Sequence, residues 1–277
     1  MSRMIRYPLP VVFGAALLLP AGCAKGPPGS PTTGTSLTGK LLTVSLTVRG
    51  QIDPTNSYYF VVFNVNNTSR NGFTGPVPVV TDFERGGNGF AGGSFSHFVE
   101  IHQGQPVQSA SGGNNFGIYS VDPTLLTPTV QGAPIQAQIT TTQSPNDTLR
   151  FEIPLSALAT NDVSVSDIST LQVNFITTNI VPTNPQDTTP KYFDAIGDPR
   201  QGQLNDFISI STAQDTTYTN TALGYAATDH VATYSTNTGT SQTNYDSSVQ
   251  VVPDQTQTQP VNIPNLNIVS WSITFSG

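Results

Sequence analysis

Apolar and polar residues alternate with a period of two along most of this chain. From Leu42 to Val48, the apolar Leu42, Val44, Leu46 and Val48 interleave with Thr43, Ser45 and Thr47. That pattern predicts a half-buried strand. Residues 57–65, SYYFVVFNV, are apolar on both sides, as a central strand with two covered faces should be. Asn66-Asn67-Thr68-Ser69 then reads as a turn. Further strands are predicted over 77–81, 95–102, 115–120, 135–141, 148–153, 171–177, 206–211, 248–252 and 268–275, and a helical turn only at Leu155–Leu158. Many short strands between Gly, Pro and Asn turns predict an all-β fold, an antiparallel, jelly-roll-like β-sandwich.

Two stretches break the pattern. Residues 178–205 contain Pro182, Pro185, Pro190 and Pro199 and read as a long loop. Residues 212–247 are rich in Thr, Asn, Gln and Ser. They read as long hairpins or a polar excursion, since so little apolar surface argues against a tightly packed element.

The first 22 residues have a different character. Arg3 and Arg6 precede an apolar run from Val11 to Leu19, and Ala21-Gly22 stand just before Cys23, the single cysteine. Charge, apolar run and small residues in that order predict a secretory signal peptide. The run is about half the roughly 20 residues that a spanning helix needs. The segment resembles the bacterial lipobox, with Pro20 where Leu is usual. That resemblance implies diacylation at Cys23, membrane attachment through the lipid, and an extracytoplasmic place in the cell envelope. In a Gram-negative cell, Ala24 in the following position permits the outer membrane. A chain that used cysteine for disulfides would carry an even number, which favours lipidation over a chance cysteine. Residues 24–39, AKGPPGSPTTGTSLTG, read as a flexible tether. The expected organisation is a signal peptide over 1–22, a lipidated Cys23 with its tether to 39, and one sandwich domain over 40–277.

Composition narrows the partners. Of ten Lys and Arg, two lie in the leader; eight then face seventeen Asp and Glu, a formal charge of −9. That balance argues against nucleic acid, which needs a basic footprint. Charged residues make up 10% of the chain, against about 25% in ordinary globular proteins, so Thr, Ser, Asn and Gln must keep the surface polar.

Two segments carry a family likeness. One is Tyr58 to Asn67. The other is Leu149-Arg150-Phe151-Glu152-Ile153-Pro154-Leu155-Ser156-Ala157-Leu158, followed by Leu171-Gln172-Val173-Asn174-Phe175. Together they resemble the family-nine carbohydrate-binding modules and the related DOMON-like sandwiches, over about 120 residues. The likeness implies a β-sandwich and a polysaccharide ligand. Acidic residues often follow the family's aromatic strand and are linked to calcium; this chain has Asn64, Asn66 and Asn67 there, weaker ligands for a hard cation. The family's sugar-stacking tryptophans are also absent. Trp271, the single tryptophan, alternates with Ile273 and Phe275 and is expected in the core.

Candidate chemistry is sparse. Gly87-Asn88-Gly89-Phe90-Ala91-Gly92 spells the dinucleotide pattern, but a strand-like segment follows it where that site needs a helix, so no nucleotide is expected. His97 and His102 lie five apart on one predicted strand and point to opposite faces; Glu100 and His102 share a face, too few groups for zinc. Asp187, Asp194, Asp198 and Asp206 gather in the long loop and are the candidate ligands of a structural calcium. Glu152 shares a face with Arg150, which predicts a surface ion pair. No G-x-S-x-G elbow occurs, and Glu84, Glu100 and Glu152 are the only glutamates from which a glycosidase pair could draw. The expectation is a non-catalytic surface module binding an extracellular ligand, a polysaccharide above all, through Tyr58, Phe90, Tyr119 and Tyr192. The alternative is a structural or adhesive envelope protein; a hydrolase ranks third.

Overall fold

Alternation in the sequence becomes alternation in burial. In β1 (Leu41–Val48), Leu42, Val44 and Leu46 are fully buried, while Thr43 and Ser45 on the other side are partly exposed. β1 lies between β16 (Ile268–Ser276) and β9 (Thr148–Pro154), antiparallel to both. The register places Val44 opposite Ile273 and Phe151, and Leu46 opposite Trp271 and Leu149. One face of this sheet is therefore a continuous apolar surface. β13 (Thr217–Thr219) joins beyond β16, and β8 (Gln138–Thr140) beyond β9. This five-stranded sheet is one layer of the protein.

The computed structural model describes residues 39–65, 75–78, 89–103, 116–122, 125–132, 135–181, 190–196, 207–223, 230–235, 242–246 and 261–277. Cys23 and its flanks, the predicted strand at 248–252, and Asp187, Asp198 and Asp206 lie outside them.

The second layer is larger. β2 (Tyr58–Asn64) is central, between β5 (His97–Ile101) and β10 (Thr170–Thr178). Beyond β5 follow β6 (Phe116–Val121) and β7 (Pro128–Gln131). The far edge of β10 is shared. β12 (Ile208–Ser211) pairs with its first half, and β11 (Pro190–Ala195) with its second. β11 in turn pairs with β14 (His230–Ser235), and β14 with β15 (Gln242–Asp246). All pairings are antiparallel, and both sheets end in edge strands among the described residues, so the fold is an all-β sandwich and not a closed barrel.

Both faces of β2 are covered, as its double apolar pattern predicts. Tyr59, Val61 and Phe63 join the core between the layers, with Leu42, Val44, Phe151, Phe175, Trp271 and Ile273. Phe60 and Val62 face outward into a second core with Phe98, Tyr119 and Ile176. A short hairpin, β3 (Pro76–Pro78) with β4 (Ala91–Gly93), pairs outside both sheets. Phe90, just before β4, stacks on Phe60 at 3.9 Å between centroids and meets Phe98 edge-on at 4.9 Å. Buried polar groups pin the hairpin: Asn174 Nδ2 donates to Pro76 O at 3.1 Å, and Lys191 Nζ to Gly89 O at 2.7 Å. A buried donor left without an acceptor would cost about 1–3 kcal/mol, so these contacts fix where the chain crosses the sheet.

The hairpin between β8 and β9 turns on Asp147. Its buried carboxylate accepts the N–H groups of Thr142 (2.8 Å), Gln143 (2.6 Å) and Ser144 (2.7 Å) and the Thr148 hydroxyl (2.9 Å). Burial alone would raise its pKa; these donors outweigh burial and hold it below the ordinary carboxylate value.

The structure departs from the sequence reading at several places: Pro128–Gln131 forms a strand that was not expected, and helical turns form at Val165–Asp167 and Ile263–Asn265 besides Leu155–Leu158. Residues 190–195, expected within a loop, form β11. Within 135–141 the strand is only Gln138–Thr140. Residues 212–247 contain β13 and the β14–β15 hairpin, in keeping with the first of the two readings of this stretch, and β14 and β15 extend the larger sheet. Backbone hydrogen bonding at a sheet edge needs little apolar surface from the strand that is added.

Candidate functional site

Of the four aromatic residues expected to hold a ligand, Tyr58, Phe90 and Tyr119 meet at the second core and Tyr192 lies apart. Phe90 is fully buried in the second core. Tyr119 is buried beside it, stacked on Phe98 at 4.8 Å, and its hydroxyl pKa is pushed up to about 12 by burial and by the charge of Glu100. Tyr192 packs in a small third cluster with Val261, Ile263 and Leu266. Tyr58 is half-buried, and His102 covers one face of its ring at 3.6 Å. A ring without an open face cannot stack on a sugar, so Phe90, Tyr119 and Tyr192 serve packing and not binding. Their faces are taken by segments remote in sequence, which no local pattern reveals.

Asp194 is not a loop residue. It lies on β11, fully buried, and accepts Ala195 N at 2.8 Å and Ile268 N at 2.7 Å. Its carboxylate thus joins the two layers through backbone donors. Among the described residues, no three His, Cys, Asp or Glu side chains are grouped to hold a metal ion. No described helix is long and apolar enough to cross a membrane.

His97 and His102 do point to opposite faces. His97 lies on the side of Val99 and Ile101, toward the central core. Its Nδ1 is 3.0 Å from Ser96 Oγ, its Nε2 has no partner among the described residues, and burial lowers its pKa to about 4. The Ser96 hydroxyl also lies 3.3 Å from Phe63 O, to which it can donate, and accepts Val65 N at 3.2 Å. Its one proton serves either Phe63 O or His97, so the tautomer of His97 is tied to the end of β2. His102, on the other side, pairs through Nδ1 with Ser57 O at 3.0 Å; burial lowers its pKa as well.

A polar cleft opens next to Ser96. It has a volume of about 470 Å³, within the roughly 300–1,000 Å³ typical of small-ligand sites. The larger sheet supplies Ser120 on β6, Thr129 and Gln131 on β7, and Asp122 just after β6; the loop after β9 supplies Thr160, Asn161 and Asp162. Phe95 and Val121 add an apolar patch. Several of the lining groups are held in place. Gln131 Nε2 donates to Ser120 Oγ at 2.5 Å, and Asp122 Oδ1 accepts Leu125 N at 2.8 Å. Thr160 Oγ1 accepts the N–H of Asp162 (3.3 Å) and of Val163 (3.0 Å), which sets the turn carrying Asn161 and Asp162. Hydroxyls, amides and carboxylates fixed around a concave space can meet the donors and acceptors of a polyol. Sequence reading missed this site because Ser, Thr, Asn and Gln are common throughout the chain; only the fold brings these together.

Compared with protein-family models, with curated proteins and with solved structures, the chain matches none.

Proposed function

We propose that this protein is a lipid-anchored, non-catalytic module of the cell envelope that binds an extracellular polysaccharide in the cleft beside Ser96. The observation that carries the reading is the lining: hydroxyl, amide and carboxylate groups gathered around one concave space. Polar groups that converge on a concave space can fix the orientation of a ligand rich in hydroxyls. The resemblance of residues 58–67 and 149–175 to carbohydrate-binding sandwiches supports the same class, and the leader ending at Cys23 supports attachment and export. Calcium is kept as a test condition because Asp187, Asp198 and Asp206 are candidate ligands.

The experiment is a polysaccharide binding panel on the full chain in detergent, with calcium and with chelator. Saturable binding that Thr129→Trp abolishes is the expected result. No binding to any polysaccharide in either condition would reject the reading. Mass spectrometry of the membrane-derived protein tests the anchor: a diacylglyceryl adduct on Cys23 is expected, and an unmodified Cys23 would remove it.

An envelope-assembly role is the second reading. β13 and β15 are edge strands among the described residues, and an edge can pair with another chain. Concentration-dependent self-association that a proline in β15 abolishes would favour it.

A further inference from the structure

His97 is a buried group that the fold leaves unfinished. It is 1% exposed, and its Nε2 has no hydrogen-bond partner among the described residues. A buried polar nitrogen without a partner costs about 1–3 kcal/mol, so such a group in a folded protein calls for an explanation. The strand register shows which way it faces. His97 on β5 stands opposite Ser120 on β6, and Ser120 stands opposite Thr129 on β7. Residues directly opposite in an antiparallel ladder share a face, with Cβ atoms about 4.5–5.5 Å apart. His97, Ser120 and Thr129 therefore form one row across the larger sheet, and Ser120 and Thr129 line the cleft. On its other side His97 stands opposite Phe63 of β2, and Val99 follows it on the same face of β5. Neither of those side chains can donate or accept. The polar neighbours of His97 in this row lie toward the cleft.

The opposite edge of the ring is anchored without a ligand. Nδ1 lies 3.0 Å from Ser96 Oγ, which accepts Val65 N at 3.2 Å and itself belongs to the cleft lining. Nε2 is a donor when the Ser96 hydroxyl gives its proton to Nδ1, and an acceptor when Nδ1 carries the proton.

We infer that His97 is the inner contact of the cleft, where its Nε2 meets a hydroxyl of the bound saccharide. This deepens the preceding reading and rests on it. A hydroxyl both donates and accepts, so it satisfies Nε2 in either tautomer. A site built to hydrogen-bond a hydroxyl discriminates against a ligand that lacks it, because the buried group is then left unpaired. His97 thus sets the choice among sugars that differ at the hydroxyl delivered to it, while Ser120, Thr129 and Gln131 meet the others.

The chain has three histidines, His97, His102 and His230, so imidazole nitrogens labelled isotopically give a simple magnetic-resonance spectrum. His102→Gln and His230→Gln assign it by elimination. The labelled full chain in detergent, at neutral pH, is titrated with cellotetraose, with its N-acetylglucosamine counterpart, and with each polysaccharide that the panel retains. The Nε2 signal of His97 is expected to move in step with saturation while the His102 signals stay. His97→Phe is expected to weaken binding by at least about tenfold, the scale of one hydrogen bond to a buried partner. A circular-dichroism melt verifies that this variant folds, and the titration of the parent protein does not depend on it. An Nε2 signal that stays in place, at a saturation that Thr129→Trp abolishes, puts the ligand in the cleft but away from His97. That result overturns the inference and leaves the polysaccharide reading intact, as does a folded His97→Phe that binds like the parent. Binding that survives Thr129→Trp, or no binding of any probe, rejects both.

Discussion

Trp271 stacks on Phe175, with ring centroids 5.3 Å apart and planes 22° from parallel. Trp271 belongs to β16 of the smaller sheet and Phe175 to β10 of the larger one, so this contact joins the two layers through their apolar faces. Trp271→Ala should destabilise the fold by about 3–5 kcal/mol, the range for large aromatic truncations. Urea unfolding followed by circular dichroism measures it. A loss under about 1 kcal/mol would show that the layers do not depend on this stack.

His97 should make the protein sensitive to mild acid. Its folded pKa is about 4, against about 6.5 unfolded. Between those values the unfolded chain binds the proton and the folded chain does not. Stability therefore falls as pH drops through that window, by about 3 kcal/mol from this group. Urea midpoints across the window should slope steeply in the parent protein and less steeply in His97→Phe, where the lowered pKa of His102 leaves a residual slope of the same sign. Parallel slopes in the two would refute the assignment.

Asp147 acts lower on the pH scale. Its folded pKa is depressed, so its stabilisation is complete above the ordinary carboxylate pKa and is lost as pH falls through the folded value. Asp147→Ala should cost about 2 kcal/mol or more at neutral pH, because three backbone N–H groups lose their acceptor. The same variant should show a shallower acid limb below the carboxylate range. An unchanged limb, read by the same urea titration, would mean that the hairpin is held by other contacts.

Arg150 and Glu152 meet at 3.6 Å with side chains 55% and 45% exposed. Glu152→Ala should therefore change stability by less than about 1 kcal/mol. A double-mutant cycle with Arg150→Ala checks the coupling; a larger value would point to a network beyond the pair.

Much of the sandwich was legible wherever one face of a strand differs from the other. β1, β9 and β16 follow from alternation, and the two-sided burial of β2 from its unbroken apolar run. The Arg150–Glu152 pair and the core place of Trp271 follow from the same period. β11 and the attachment of the β14–β15 hairpin to it were not legible, because they are set by backbone pairing at a growing sheet edge, which leaves little mark on residue type. The ligand aromatics misled for a related reason. Phe90 and Tyr119 sit in glycine-rich or polar surroundings in sequence, but the β3–β4 hairpin and the outer face of the larger sheet enclose them. The cleft is the converse case, with ordinary polar residues that gain significance only where two layers bring them together.

The register of β1 and β16 has a mechanical consequence. Leu41 pairs with Ser276, so the two ends of the folded unit leave from the same end of the same pair of strands. The bonds of an antiparallel ladder lie across the strands. Tension applied between residues 40 and 277 would load these bridges one after another, as a zipper opens, and not all at once in shear. The sandwich should therefore yield easily when drawn by its ends.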